Sequence, residues 1–286
     1  MNAARTAVTL LGTKGGPAVN PGSPMPTSSL VRLGGEHIVV DCGLGVTRAL
    51  TDQQLRLPDL RTIVITHLHS DHYLELGPLL HTAWTAGLKD KVTVYAPSGL
   101  AAYWRSFLAS MAYDIETRIA DEGRPDIKKL VELRPLGEGA HELGPVTMRA
   151  MRNSHPPITD SYALRFEAGG RSIVFSGDTA PFDGFVEFAA GADILVHEAM
   201  HGEGVDRLVA RVGNGTRLRE HLVASHTEAA DVGRIAAEAG VKVLALHHLV
   251  PSDDPQITHD DWERTVRRHW AGPLVIGQDG IEVTID

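Results

Sequence analysis

The chain has 286 residues, 43% of them hydrophobic and 22% charged, which is the profile of a globular protein that buries a substantial core. Its 27 Lys and Arg side chains against 36 Asp and Glu side chains give a net charge of −9, which argues against nucleic acid as the main partner. The one cysteine, Cys42, excludes an internal disulfide and favours a reducing cytoplasm, and the lack of any apolar run of about 20 residues argues against membrane insertion.

Short strands and helices are predicted along the whole chain. Strands are indicated by β-rich runs bounded by glycine, proline or aspartate. In chain order these runs cover 6–12, 29–35, 37–43, 62–66, 91–97, 145–151, 161–167, 172–178, 193–198 and 242–248, followed by a closing pair, LVIG and IEVTI. Helices are predicted over about 72–87, 98–111 and 227–240, the last ending on Gly240.

Two mixed sheets packed face to face with helices outside would bury these runs. We expect one domain over 1–286, since no linker, repeat or low-complexity tract interrupts the chain. Two irregular segments, 113–136 and 202–221, are predicted to be surface insertions, and long insertions often lie beside a site.

The stretch THLHSDH, after the fourth predicted strand, concentrates metal-binding chemistry. His67 and His69 are two residues apart, so an extended backbone points both side chains the same way. Asp71 and His72 follow where a helix begins, and they turn back toward the same space. Imidazole nitrogen and carboxylate oxygen are ligands that zinc prefers, and two neighbouring subsites could share this cluster. The alternative is a solvated loop that holds these histidines by chance.

The chain resembles the metallo-β-lactamase superfamily. HLHSDH has the HxHxDH form, and further matches are LLGTKGGP near the start, VVDCGLG at 39–45, SGDT at 176–179, HEAMH at 197–201, SHTEAA at 225–230 and LHHLVP at 246–251. Within the superfamily the chain is most similar to the branch that holds ribonuclease Z and the arylsulfatase-type hydrolases. The resemblance implies an α/β fold, the αββα four-layer sandwich, with two metal ions at one edge of the sheets.

The resemblance also implies the metal ligands. It assigns His67, His69 and His155 to one ion, Asp71, His72 and His248 to the other, and Asp178 to a bridge between them. Asp178 follows an apolar strand in VFSGDT, where a carboxylate is either a turn former or a ligand. His155 in NSHPP precedes two prolines, which fix an extended backbone and leave the imidazole projecting; the alternative is a surface loop histidine. Two Zn²⁺ ions are expected, with Mn²⁺ or Fe as alternatives.

The histidines near the end of the chain are harder to assign. His247 and His248 are adjacent, and a regular strand would send them to opposite faces. The family pattern places its ligand just before an apolar–proline step, here HLVP, which favours His248. The roles of His197, His201 and His247 stay open, and Cys42 is interpreted as a small core residue.

The implied metal centre predicts a hydrolase. Two zinc ions hold a bridging water whose pKa falls toward about 7, so this metal-bridging hydroxide could attack an ester-like or activated aryl bond at neutral pH. Asp71 can accept the proton of the water while remaining a ligand. Glu198 in HEAMH and His226 in SHTEAA match a proton-relay pair of the ribonuclease Z branch; the alternative is a buried structural hydrogen bond.

We expect a small-molecule substrate, with a tRNA 3′-processing endoribonuclease as the alternative. Segment 113–136 carries six acidic against five basic residues, a poor counterpart of the basic tRNA-gripping arm of such a nuclease. An aromatic wall for an aryl substrate, or else a helix core, could be formed by Tyr73, Trp84, Tyr103, Trp104 and Phe107. Neither nucleic acid nor a membrane is expected as a partner, and a homodimer is allowed. A catalytically silent binding protein is disfavoured because every expected ligand position is filled.

Overall fold

The computed structural model describes residues 5–285, which form fourteen strands and eleven α-helices. The strands are β1 (Ala7–Gly12), β2 (Ser28–Leu33), β3 (Glu36–Val40), β4 (Thr62–Val64), β5 (Val92–Ala96), β6 (Val131–Pro135), β7 (Gly139–Leu143), β8 (Val146–Arg152), β9 (Tyr162–Ala168), β10 (Arg171–Phe175), β11 (Ile194–Met200), β12 (Val243–Val250), β13 (Leu274–Ile276) and β14 (Ile281–Thr284). The helices are α1 (Val46–Asp52), α2 (Ser70–Tyr73), α3 (Leu76–Thr85), α4 (Leu100–Ser110), α5 (Ala112–Glu122), α6 (Ile127–Leu130), α7 (Phe185–Ala189), α8 (Gly202–Val212), α9 (Leu218–Ser225), α10 (Ala229–Ala239) and α11 (His259–Val266).

Two mixed sheets of seven strands each carry the fold. Their strand orders are β14-β1-β2-β3-β4-β5-β6 and β13-β12-β11-β10-β9-β8-β7. In the first sheet β3 to β6 run parallel, and in the second β10 to β13 run parallel. The carboxyl ends of parallel strands share one edge of a sheet, which is where ligands bind in such folds. The loops that follow β4 and β10 therefore lie at such edges.

The two sheets pack against each other through apolar inner faces. Val8 and Ile38 of the first sheet and Phe166 and Phe175 of the second are buried in this layer. The rings of Phe166 and Phe175 meet edge to face, with centroids 6.0 Å apart. The outer face of the first sheet is covered by α1, α3 and α4, and that of the second by α7, α10 and α11. This order of layers confirms the predicted αββα sandwich.

The helix predicted over 72–87 is divided into α2 and α3. Glu75, at the break, donates its backbone N–H to Cys42 O over 3.0 Å. Its carboxylate accepts the backbone N–H groups of Gly45 and Thr47 at the start of α1, at 2.5 and 3.0 Å. The backbone of Glu75 is thus bonded to Cys42 and its side chain to the start of α1, so the break between α2 and α3 is caused by tertiary contacts.

The two predicted insertions are ordered. Segment 113–136 contains most of α5, all of α6 and β6, and segment 202–221 contains α8 and the first half of α9. The helix predicted over 227–240 is α10, and it ends at Gly240 with φ 61°, as its glycine stop predicts. Within residues 5–285, no helix combines the length and the apolar character needed to cross a bilayer.

Candidate metal centre

The side chains predicted as ligands meet in two adjoining groups. His67, His69, His155 and Asp178 form the first group, and Asp71, His72, Asp178 and His248 form the second. Within each group the possible ligand atoms all lie within 4.8 Å of one another. Asp178 belongs to both groups, so its carboxylate stands between them.

The first group places three imidazoles around one point. His69 Nδ1 lies 3.1 Å from His67 Nε2 and 3.0 Å from His155 Nε2. His67 comes after β4 in the first sheet and His155 after β8 in the second, so the group joins the two sheets. His67 and His155 are buried, whereas His69 is half-buried and faces the cavity described below.

The second group brings two imidazoles against one carboxylate oxygen. Asp178 Oδ2 lies 2.9 Å from His248 Nε2 and 3.2 Å from His72 Nε2. Asp71 Oδ2 lies 3.3 Å from His248 Nε2 and accepts a hydrogen bond from the Gly16 backbone N–H at 2.9 Å. All four members of the group are buried.

A bulge in β12 decides which of the two adjacent histidines enters the group. His247 pairs with Glu198 and Leu249 with Ala199, so His248 is the extra residue where the register with β11 shifts. His248 has φ 44°, a rare conformation for a residue other than glycine. Bulges re-aim side chains in this way. His247 instead lies in the core beside the Phe175 ring, at a centroid distance of 6.1 Å.

Unpaired polar atoms at the shared carboxylate show that the groups fit a cation. Both oxygens of Asp178 and Nε2 of His72 are buried, and although Oδ2 lies close to His72 and His248, none of the three atoms has a hydrogen bond of good geometry to a residue in the described part of the chain. Buried polar atoms without partners are rare in proteins and call for an explanation such as an ion. Nitrogen and carboxylate ligands at this density are the donor set of zinc sites.

The pKa values of the second group also indicate that positive charge is stabilised next to Asp178. Burial acts to raise the pKa of Asp178, but His248 and His72 outweigh it and hold that pKa well below its usual range. Burial acts to lower the pKa of His248, but Asp178 outweighs it and raises the pKa to about 10. The pKa of His72 is likewise raised, chiefly by Asp178 and then Asp41, against the opposing effect of burial. Protons supply here the charge that a cation would supply.

The first group is held neutral by its surroundings. Burial lowers the pKa of His155 to about 4 and that of His67 well below its usual range. Neutral imidazoles offer lone pairs to a cation without first losing a proton. His155 Nδ1 donates to the backbone carbonyl of Ser225 at 3.1 Å, which leaves Nε2 as the free acceptor of that ring.

Asp41 supports the centre from outside the two groups, and the sequence analysis missed it. Its Oδ2 lies 2.8 Å from His72 Nδ1, the ring nitrogen that faces away from Asp178. Its Oδ1 accepts the backbone N–H of Thr66 at 2.8 Å. Such partners orient a ligating histidine and increase its basicity. The available signal was an aspartate directly after an apolar strand, the same signal that singled out Asp178.

Glu198 and His226 form a buried pair next to the second group. Glu198 Oε1 lies 3.3 Å from His226 Nδ1 and also accepts the backbone N–H groups of Thr179 and Thr227 at 3.1 and 3.0 Å. The His226 ring stacks on the His248 ring with centroids 5.3 Å apart. Glu198 therefore fixes the orientation of an imidazole that borders the cavity.

The three histidines whose roles the sequence did not assign, His197, His201 and His247, pack against aromatic side chains or backbone outside the two groups. His197 is buried against the Phe185 ring and donates from Nδ1 to the backbone carbonyl of Glu198 at 2.6 Å. His201 packs edge to face on Trp262 of α11. Burial lowers the pKa of His247 to about 3, so this core histidine is neutral. Burial also raises the pKa of the Cys42 thiol well above its usual value, in agreement with a core role.

A cavity of about 560 Å³ opens above the two groups. His69, Asp71 and Asp178 lie at its floor, and the walls come from the loop that starts at Lys14 and from α8 and α9. The predicted insertion 202–221 thus borders the site, whereas 113–136 contributes no lining residue. Lys14 and Arg211 line the cavity and both contact Asp253, at 3.4 and 2.6 Å.

The aromatic residues of the first half do not form a wall of this cavity. Trp84 and Trp104 are buried in the core between the first sheet and its helices, and Tyr73, Tyr103 and Phe107 pack against that core. None of the five is among the cavity residues. The helix-core alternative is therefore correct, and the basis for an aryl substrate disappears.

Comparisons with known proteins place the chain among metal-dependent hydrolases. A family model described as anti-Pycsar protein Apyc1 matches residues 6–206. Ribonuclease Z of Mycobacterium bovis (strain BCG / Pasteur 1173P2) is 31% identical over 276 residues, 95% of this chain and 95% of the relative. The metallo-β-lactamase fold protein YhfI from Bacillus subtilis has TM-score 0.72 at 23% identity, covering 97% and 99% of the two chains. Human tRNase Z, short form, has TM-score 0.68 at 20% identity, covering 98% and 99%. At these identities the two solved structures show the fold alone.

The expectation of a small-molecule substrate, with nucleic acid as an unlikely partner, was wrong. A ribonuclease Z matches almost the whole chain. The net charge of −9 is a sum over all residues, whereas the binding of a substrate depends on the side chains at the cavity, where Lys14 and Arg211 lie. The acidic segment that weighed against RNA contributes no residue to the cavity lining.

Proposed function

This chain belongs to the ribonuclease Z branch of the metallo-β-lactamase superfamily and to the Apyc1 family, and we propose that it cleaves a phosphodiester bond of RNA at the tRNA 3′ end. It is a metal-dependent hydrolase. The observation that carries the proposal is the cavity floor, where two ligand groups share Asp178. Two metal ions about 3.5–4 Å apart are the arrangement used for in-line displacement at phosphorus.

We assign the seven ligand positions to two zinc ions, since imidazole and carboxylate suit zinc; manganese or iron would accept the same donors. When bound, the two ions would supply a water of lowered pKa and positive charge for the phosphoryl oxygens. Asp71 would orient that water and accept its proton, while Gly16 N–H holds the Asp71 carboxylate in place. The single buried Cys42 agrees with a cytoplasmic location.

His226 is proposed as the acid that protonates the leaving oxygen. Glu198 accepts from Nδ1 of His226, so the acid form would be the imidazolium, whose second proton sits on Nε2 and is the one to be delivered. Within residues 5–285 the other donors to Glu198 Oε1 are two backbone N–H groups, so no cation from this part of the chain competes for that oxygen. A positioned general acid of this kind typically contributes about 10²- to 10⁴-fold in rate.

Lys14 and Arg211 are proposed to attract the RNA backbone to the cavity. Both side chains pair with Asp253, so their charge is partly compensated, and Asn20 donates to the same carboxylate at 2.8 Å. Phosphates entering the cavity would compete with Asp253 for these two cations. The resulting electrostatic contribution is modest and depends on salt.

The proposal is tested by incubating the zinc-loaded protein with a precursor tRNA that carries a 3′ trailer. We expect one cut at the 3′ end of the tRNA, loss of cutting with a chelator, and recovery with zinc. A mature tRNA without a trailer is the substrate control, and a purified Asp178→Asn variant is the protein control.

Bis(p-nitrophenyl) phosphate, assayed in parallel, reports whether the metal centre is active on any phosphodiester. Hydrolysis of this compound with an intact precursor tRNA would show that the centre works and that RNA is not the substrate. Cutting at scattered positions would contradict 3′ processing while leaving ribonuclease activity in place.

A further inference from the structure

One histidine at the cavity has no role in the mechanism proposed above. His221 lies in α9, is half-buried and lines the cavity. Its ring centroid is 5.6 Å from that of His69 and 5.8 Å from that of His155, and both pairs of rings are nearly perpendicular. His221 therefore stands over the first ligand group without belonging to it.

The hydrogen bonds of Ser225, next to His221, determine which ring nitrogen of His221 carries the proton. Ser225 Oγ donates to the carbonyl of Pro156 at 2.7 Å. A hydroxyl has one proton, so Ser225 Oγ must accept in its 3.3 Å contact with His221 Nδ1, and Nδ1 must donate. In the neutral ring Nε2 then carries a lone pair, so it is the acceptor nitrogen of His221.

Neighbouring residues hold this ring firmly. Ser225 also accepts from His155 Nδ1 through its backbone carbonyl at 3.1 Å, so one residue positions both histidines. Leu218 and Leu222 of the same helix line the cavity beside His221. Apolar neighbours reduce the access of water, and hydrogen bonds in such surroundings are stronger than in water.

A free acceptor nitrogen selects a hydrogen-bond donor, and the phosphate oxygens of RNA are acceptors. The donor nearest to a phosphodiester in RNA is the 2′-hydroxyl of the nucleotide whose 3′ oxygen carries the phosphate, and DNA lacks it. The His226 ring, assigned to the leaving oxygen, has its centroid 6.2 Å from that of His221. Both rings border the same cavity, so one ribose that enters it would lie beside both of them.

We propose that His221 Nε2 accepts a hydrogen bond from the ribose 2′-hydroxyl adjacent to the scissile phosphodiester, and that this contact makes the enzyme prefer RNA over DNA at the cut. The proposal rests on the proposed ribonuclease function, of which it names one substrate contact. His221 is thereby a substrate-binding residue, distinct from the ligands and from the His226–Glu198 pair.

The test combines one substrate atom with one side chain. Precursor tRNA is prepared with either a ribose or a 2′-fluoro ribose at the nucleotide on the 5′ side of the mapped cut. Fluorine has nearly the size of a hydroxyl but cannot donate. For the unmodified protein we expect kcat/KM to be about 3- to 10-fold higher on the ribose substrate, the effect of one neutral hydrogen bond.

Three substitutions separate the contact from general damage. His221→Ala and His221→Asn should both lose the preference, since neither places an acceptor at the Nε2 position. His221→Gln should retain part of it, because its amide oxygen reaches that position. His269→Ala, at an exposed histidine outside the cavity, should keep the full preference. Metal content should remain that of the unmodified protein in every variant.

Binding supplies a second readout that does not depend on turnover. Fluorescence anisotropy should show weaker binding of a short RNA with a terminal 2′-fluoro ribose to the unmodified protein, and equal binding of both RNAs to His221→Asn. Cleavage of RNA with the same ribose preference before and after His221→Ala would overturn the contact and leave the ribonuclease function intact. Failure of the unmodified protein to cut RNA would overturn both. Loss of metal in the His221 variants would show that the residue supports the metal centre instead.

Discussion

Replacing Asp178 by asparagine is expected to remove most of the bound metal, because this carboxylate belongs to both ligand groups. Its Oδ2 lies 2.9 Å from His248 Nε2, 3.2 Å from His72 Nε2 and 3.7 Å from His67 Nε2. Losing an outer partner of a ligand costs roughly 10- to 100-fold in metal affinity, and losing a shared ligand should exceed that at both ions. We expect the metal content after dialysis to fall from about two equivalents per chain to less than one.

The same substitution should destabilise the metal-free protein. Asp178 is there the main partner of His248, whose pKa it raises to about 10. Removing one partner from a buried ion pair costs about 3–5 kcal/mol. His248 keeps Asp71 at 3.3 Å and His72 keeps Asp41 at 2.8 Å, so we expect the low end, about 3 kcal/mol in the free energy of unfolding. Chemical denaturation in the presence of a chelator measures this change.

Asp41→Asn is the matched control, because Asp41 contacts His72 at the nitrogen that faces away from Asp178, and its other side-chain hydrogen bonds are to Thr66, which belongs to neither group. Asparagine is suitable here since Asp41 has φ 63°, a conformation that asparagine tolerates better than alanine does. This variant should bind metal roughly 10- to 100-fold more weakly yet fill both sites at saturating zinc. Elemental analysis and chelator competition measure both variants. A full metal complement in Asp178→Asn would refute the shared-ligand reasoning, as would equal metal loss in the two variants.

His226→Ala should keep its metal and slow RNA cleavage by about 10²- to 10⁴-fold, with a smaller loss on bis(p-nitrophenyl) phosphate, whose leaving group needs no proton; equal losses on both substrates would contradict the acid role. His248, with its pKa raised from 6.5 to about 10, contributes stability to the metal-free protein that is complete below pH 6.5 and lost as pH rises through about 10. Metal binding needs the neutral ring, so zinc affinity should rise over the same pH range. Calorimetry of the metal-free protein measures its stability at pH 7 and 10, and chelator competition measures zinc affinity at the same two pH values. If stability and zinc affinity changed in the same direction, the assignment of His248 would be disproved. Lys14→Ala should reduce the slope of log affinity for trailer RNA against log salt by about 0.7, and an unchanged slope would show that Lys14 contacts no phosphate. Thr258→Ala removes the capping box of α11 and should lower the free energy of unfolding by about 0.5–2 kcal/mol with no change in metal content, and an unchanged denaturation midpoint would contradict this.

The amino-acid sequence determined the layers and the ligand chemistry. Apolar runs of strand length and the helix ending at Gly240 are local signals, and they predicted two sheets covered by helices. The motif around His67 and His72 predicted a metal site, and the family resemblance assigned the residues that the structure brings together in the two groups. These features could be predicted because strand ends, turn residues and ligand types depend on a few neighbouring positions.

The tertiary structure decided what distant segments do to one another. The break before α3 depends on Glu75 bonding to Cys42 and to the start of α1, and the choice of His248 over His247 agrees with a bulge set by the register with β11. The supporting role of Asp41 and the free nitrogen of His221 likewise depend on partners far along the chain. Net charge misled the choice of substrate because it is a sum over all residues, whereas a substrate meets only those that packing brings to the cavity. Long-range contacts determine which residues line the cavity, and such contacts cannot be read from a local pattern of the sequence.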